Sequence, residues 1–253
     1  MQRAGLVLGL LGVVAVLGVV GTGVARGLNP PVTSTESMAF VARVPQLTVE
    51  VSSGDVTVRP ADGDRVEVVR TVRGHGSPDP RGTETSGADG VSLAAGCAFV
   101  PFGRCEVDYD VRVPDGFTLD LRSGSGRVTA EGVTAAAVRV SVSSGDVRLA
   151  DVRGPVELEV SSGEVAAERL DSPTFVARSS SGDLTLDFAT APTSLDVGVS
   201  SGEVEVGLPT SQPYRVHVDT GIGERAVTVP TADGAPNAVR VTTGAGDVTV
   251  RPR

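Results

Sequence analysis

Valine and leucine return at every second position over most of this chain. They fall at Val138, Val140 and Val142, at Val156, Leu158 and Val160, at Leu195, Val197 and Val199, and again at Val147 and Leu149. Polar or charged residues such as Arg139, Ser141, Glu157 and Glu159 fill the positions between. A period of two in β-branched residues predicts half-buried strands, since successive strand side chains point to opposite faces. No helical pattern interrupts the alternation within these repeats.

What separates the strands is a recurrent corner, Ser-Ser-Gly followed by an acid, as in "VSVSSGDVRL" from Val140. Its glycines are Gly54, Gly126, Gly145, Gly163, Gly182, Gly202, Gly223 and Gly246, and from Gly126 onward the intervals are 19, 18, 19, 20, 21 and 23 residues. Self-similarity at such a period marks a stacked repeat, in which each unit hides its apolar face against its neighbours. The unit reads as strand, tight corner, strand and a second turn such as Arg153-Gly154-Pro155, too short for a helical crossover. The predicted fold is therefore all-β, a solenoid of parallel strands stacked about 4.8 Å apart. Glycine admits corner angles closed to valine. Stacking would also bring Ser144, Ser162, Ser181 and Ser201 into one column, where their hydroxyls are expected to bond between rungs.

The regular repeat is expected over residues 117–253, with Arg251, Pro252 and Arg253 ending the last strand in a form that discourages edge pairing. Residues 38–116 read as a less regular β cap. Within it, residues 73–90, "RGHGSPDPRGTETSGADG", have the Gly, Pro and Asp content of a mobile loop. Alternation resumes at Val107, Tyr109, Val111 and Val113.

The first 26 residues do not belong to this core. Ala4 to Ala25 is a run of 22 residues without a charge, enough to cross a bilayer as a helix. Arg3 precedes it and Arg26 follows, so the positive-inside rule leaves the start in the cytoplasm and the rest outside. The length favours a retained membrane anchor followed by a linker, residues 27–37. A small-x-small cleavage pattern at Gly23-Val24-Ala25 leaves a signal peptide as the alternative. Cys97 and Cys105 bracket "CAFVPFGRC", and outside the cytoplasm they are expected to form a structural disulfide.

Composition narrows the function classes. The formal net charge is −9, and all 22 basic residues are arginine without clustering, so nucleic acid is not an expected partner. Aromatic residues make up only 3% of the chain and tryptophan is absent, which leaves little for a sugar-binding platform. Phe117, Phe175 and Tyr214 fall on inward positions. Phe99 and Phe102, in the cysteine loop, are the candidate partner contact, with capping of the first coil as the alternative. Paired carboxylates, a Ser-His-Asp set built on His75 or His217, and the glycine-rich "TGIGERA" at Thr220 all lack the context that catalysis or dinucleotide binding requires. No catalytic residue and no cofactor is expected.

The residues that follow the corner glycines are Asp55, Arg127, Asp146, Glu164, Asp183, Glu203, Glu224 and Asp247. In a parallel stack they form a like-charged column, which a cation could neutralise. Asp146, Glu164, Asp183 and Glu203 are thus the calcium candidates. A solvated acidic edge is the alternative, favoured by the free interchange of Asp and Glu.

The corners, the "VDYDVRVPDG" run from Val107 to Gly116 and the following "LRSGSGRVTAEGV" resemble the bacterial "putative adhesin" family of β-strand-repeat proteins, a domain of unknown function. The resemblance covers most of the chain from about Val44 and implies a solenoid-like, exported or membrane-anchored protein with no catalytic residues to carry over. The expectation is a non-catalytic surface interaction or scaffolding module with a partner in the envelope or on a surface. The alternatives are a β-helix protein that binds or cleaves envelope polysaccharide and a self-associating envelope protein. A bare, unblocked terminal coil would favour the last.

Overall fold

The computed structural model describes residues 31–75, 80–97 and 105–253, and Ala4–Ala25, Phe99 and Phe102 lie outside them. Among the described residues strands and turns account for every element, and 21 strands form two sheets of 11 and 10 strands. Each repeat gives one strand to each sheet and turns between them at its corner glycine, so a coil can be named by that residue.

The coils stack in parallel and in register. Val138, Val140 and Val142 lie beside Val156, Leu158 and Val160, which lie beside Phe175, Ala177 and Ser179. On the second sheet Val147 follows Val128 and precedes Val165. The alternating apolar residues predicted above face the space between the sheets and form one continuous core. Phe117, Phe175 and Tyr214 point into it as expected, and Phe175 meets Phe188 edge-on with ring centroids 5.5 Å apart.

The corners show why glycine is required. Gly163 has φ +140°, and a Cβ there would come within 1.9 Å of the Gly145 carbonyl oxygen on the previous coil. Both the backbone angle and the close stacking therefore forbid a side chain. Serine acts differently from the expectation. The column Ser144, Ser162, Ser181, Ser201 is present, but it is the serine carbonyls that bridge the coils. The Gly145 amide donates to Ser162 O at 2.9 Å, and the Gly163 amide donates to Ser181 O at 3.2 Å. Backbone groups are already placed to pair between rungs, so the hydroxyls are left to solvent.

The order of stacking departs from the order of sequence at both ends. The Gly54 coil lies directly beside the Gly126 coil, since Gln46–Val51 pairs with Phe117–Ser125 and Val56–Pro60 with Val128–Glu131. The regular stack therefore begins within residues 38–116. The intervening residues leave the stack and return outside it as Cys105–Val113 and Gly90–Cys97, parallel to the Gly54 coil. Antiparallel strands then close that end: Val66–His75 and Pro31–Phe40 on one sheet, Pro80–Gly87 on the other. Within the stretch 73–90 that the sequence was read to make a loop, residues 73–75, Pro80–Gly87 and Gly90 are thus strand. Pro80–Gly87 pairs along its whole length with Gly90–Cys97, and its Glu84 is gripped by Arg70 and Tyr109.

At the other end, Ala238–Ala245 and Val248–Pro252 insert between the Gly202 coil and the Gly223 coil. The Arg-Pro-Arg ending consequently does not guard an edge. The exposed edges belong to Arg215–Ile222 and Arg225–Val227.

Candidate functional site

The acidic column is built from pairs rather than from interchangeable acids. Taken in stacking order, the residues after the corners read Asp55, Arg127, Asp146, Glu164, Asp183, Glu203, Asp247, Glu224. Each aspartate accepts from the backbone amide of the next coil. Asp55 Oδ1 receives Arg127 N at 2.8 Å, and Asp183 Oδ1 receives Glu203 N at 2.8 Å. Asp247 Oδ1 receives Glu224 N at 2.8 Å, and Asp146 Oδ1 receives Glu164 N at 3.3 Å. Asp108 extends the series by accepting from Asp55 N at 2.9 Å. One side-chain carbon places an aspartate oxygen at the amide one rung away, and no glutamate of the column receives an amide this way among the described residues.

The alternation therefore carries meaning. It relieves the like-charge column by directing aspartate oxygens at N–H dipoles, with Arg127 adding a contact to Asp146 Oδ2 at 3.3 Å. Among the described residues no group of three or more His, Cys, Asp and Glu stands close enough to hold a metal ion. His75 ends Val66–His75, whereas His217 lies on Arg215–Ile222, on the terminal coil.

The outer faces carry arginine–acid contacts that step from coil to coil. Arg178 meets Asp196 at 2.7 Å, Arg139 meets Glu157 at 3.4 Å, Arg59 meets both Asp110 and Glu131, and Arg251 meets Glu205. Contacts this exposed contribute at most about 1 kcal/mol each. Their effect is a surface of mixed sign in which several arginines face an acid on the adjacent coil.

The closed end holds a denser cluster. Tyr109, fully buried, donates from its hydroxyl to Glu84 Oε1 at 2.7 Å. Arg70 donates to that same oxygen at 2.7 Å and to Glu36 at 2.6 Å, linking strands of both sheets. Burial, and then Glu84, push the Tyr109 phenol above its usual pKa. Burial opposes the Arg70 charge, but Glu84 and Glu36 outweigh it and raise its pKa. Beside this cluster the Cys97–Cys105 disulfide forms as expected, with Cα atoms 5.9 Å apart. It joins the end of Gly90–Cys97 on one sheet to the start of Cys105–Val113 on the other.

The open end was not read as a site from sequence. Tyr214, Val216, Val218, Val227 and Val229 line a groove of about 450 Å³ there, with Arg215, Arg225 and Asp233 at its margin. One sequence signal could have located it. Two residues after the corner glycine every other coil carries valine or leucine, and the Gly223 coil carries Arg225. That position lies in register with buried Val248, so the arginine stands at the mouth of the core column.

A two-sheet parallel solenoid closed at one end by antiparallel strands defines a β-repeat scaffold. The chain belongs to the Toastrack DUF4097 family, whose model matches residues 42–251. No curated protein matches the chain. A "putative adhesin" from Bacteroides fragilis is 10% identical with a TM-score of 0.48, covering 86% of this chain and 96% of that one. A "putative cell adhesion protein" from Clostridium sporogenes is 9% identical with a TM-score of 0.33, covering 87% of this chain and all of that one.

Proposed function

We propose that the chain is a non-catalytic, membrane-anchored module outside the cytoplasm, an adhesin-like or scaffolding protein that presents its stacked sheets to an envelope or surface partner. The observation that carries the reading is the Cys97–Cys105 disulfide at the closed end of the scaffold. Such bonds persist in oxidising compartments and are rare in the cytoplasm. The Ala4 to Ala25 run supplies the anchor in this reading, with the positive-inside rule setting its direction. Exposed faces held by mixed-sign contacts suit a rigid display surface, since little of the backbone is left free to reorganise on binding.

Protease treatment of intact cells, followed by photo-crosslinking of the folded domain in place, tests both parts. Removal of a C-terminal tag by external protease and crosslinks to an envelope or surface component are the expected results. A tag protected until lysis overturns the orientation, and an ectodomain that crosslinks to nothing overturns the interaction reading.

A further inference from the structure

We propose that the open end of the solenoid is a docking slot for one extended, acidic segment of a partner protein, which adds a strand to the edge of Arg215–Ile222 and sets a carboxylate against Arg225. The proposal rests on the interaction reading above and assigns it a place.

Four observations lead there. Among the described residues Arg215–Ile222 pairs only with Ala238–Ala245, and Arg225–Val227 only with Val248–Pro252, so each sheet ends there in an edge strand. The Arg215 amide donates inward to Asn237 O at 2.8 Å. Because successive strand amides alternate sides, Val216 and Val218 turn their N–H and C=O groups to the open edge, ready for a further strand. Their side chains point inward and stay partly buried, against Val227 and Val229 across the groove.

The form of the occupant follows from the chain after Val227. It crosses over the end of the core, where Tyr214 N donates to Pro230 O at 2.9 Å and Ala232 N donates to Tyr214 O at 2.9 Å. This crossing occupies the place where a further coil of a second copy would turn. Thr231 of this crossing bridges the edge at Tyr214, so a single added strand has the edge from Val216 onward.

The charge of the occupant follows from Arg225 and Arg215. On nearby coils Arg178 opposes Asp196 and Arg251 opposes Glu205, while Arg240, on the strand beside Arg215–Ile222, makes no ion pair among the described residues. Arg215 and Arg225 make no ion pair among the described residues, and Asp233 is the acid that lines the groove with them. Sheets pack about 10 Å apart, so a glutamate pointing inward from an added strand spans the distance to an arginine reaching from the opposite sheet. The fitting segment is therefore apolar at alternate positions with a glutamate between.

The probe is a fluorescein-labelled heptapeptide, Thr-Val-Thr-Glu-Thr-Val-Thr, followed by anisotropy with the full chain. Saturable binding is expected, with loss of at least tenfold in affinity when lysine replaces the peptide's glutamate or when proline breaks its strand. Arg225→Glu should invert the preference toward the lysine peptide, and Arg225→Gln should abolish the discrimination. Both substitutions fall at an exposed side chain and should leave the circular dichroism melt unchanged. Absence of saturable binding, equal binding by Arg225→Glu, or occupation of the slot by a second copy in sedimentation overturns the proposal. Partner crosslinks on cells that survive Arg225→Glu unchanged would remove the slot while leaving the interaction reading standing.

Discussion

Ser179 occupies the inward position three residues before its corner glycine, where the neighbouring coils carry Val160 and Val199. Its hydroxyl is buried without a hydrogen-bond partner. An unsatisfied buried hydroxyl costs on the order of 1–3 kcal/mol, so Ser179→Ala should raise stability by about 1 kcal/mol in urea denaturation. A loss instead would show that the hydroxyl does hold a partner. Tyr109 is the opposite case, a buried hydroxyl well used. Its folded pKa lies above the usual 10.0, so the folded state holds the phenolic proton more tightly than the unfolded chain. The resulting stability is complete below pH 10 and is lost as the pH rises through that value toward the higher folded pKa. Tyr109→Phe should flatten this alkaline slope, as read from urea midpoints between neutral and strongly alkaline pH. A slope unchanged by the substitution would assign the alkaline loss to other groups.

The coil is the element on which the fold depends, and its corner tolerates least. Gly163→Ala combines a φ near +140° with an overlap against the Gly145 carbonyl. It should cost more than about 3 kcal/mol, lowering the urea midpoint sharply or preventing folding. Gly116, with positive φ but open space around its Cβ position, should cost much less and serves as the control. This element was readable from sequence because strand period and corner glycine are both local signals. Its neighbours in the stack were less readable. Val216 and Val218 match the inward pattern as well as Val239 and Val241 do, so periodicity does not rank the two coils. The ranking comes from Arg225, a charge that only a terminal coil accommodates without burial. The closing strands were missed for a related reason. Pro80–Gly87 carries exposed small polar residues, and its pairing is directed by Glu84 reaching Arg70 and Tyr109, a contact invisible to local pattern. Likewise the aspartate–glutamate alternation, already present from Asp146 to Glu203 in sequence, extends to Asp247 and Glu224 only once the coils are placed in their stacking order.

A parallel stack grows in either direction unless something stops it, because every coil presents the same edge to the next. At one end the chain itself stops growth, with antiparallel strands, the Tyr109–Glu84–Arg70 cluster and the disulfide between the sheets. Replacing Cys97 and Cys105 together with serine should lower stability by about 2.5 kcal/mol, the chain-entropy value for a nine-residue loop. At the other end no strand among the described residues closes the stack. The crossing at Pro230 covers part of it, and Arg225 places a charge where the core would continue. An inward-pointing charge is a recognised guard of open edges, since burying it against another sheet without a partner is costly. Selective access then follows from the same residue: apolar edges are refused, and a strand bearing its own carboxylate is accepted. Arg225→Val tests the guard separately from the docking. It restores the valine found two residues after the corner in the neighbouring Gly246 coil and leaves Val216, Val218, Val227 and Ile222 as an apolar end, with Ile222 already 76% exposed. Sedimentation velocity should show the wild-type chain unchanged with concentration and the Arg225→Val chain associating as concentration rises. If both remain monomeric, the crossing at Pro230 alone protects the end, and Arg225 is not needed as a guard.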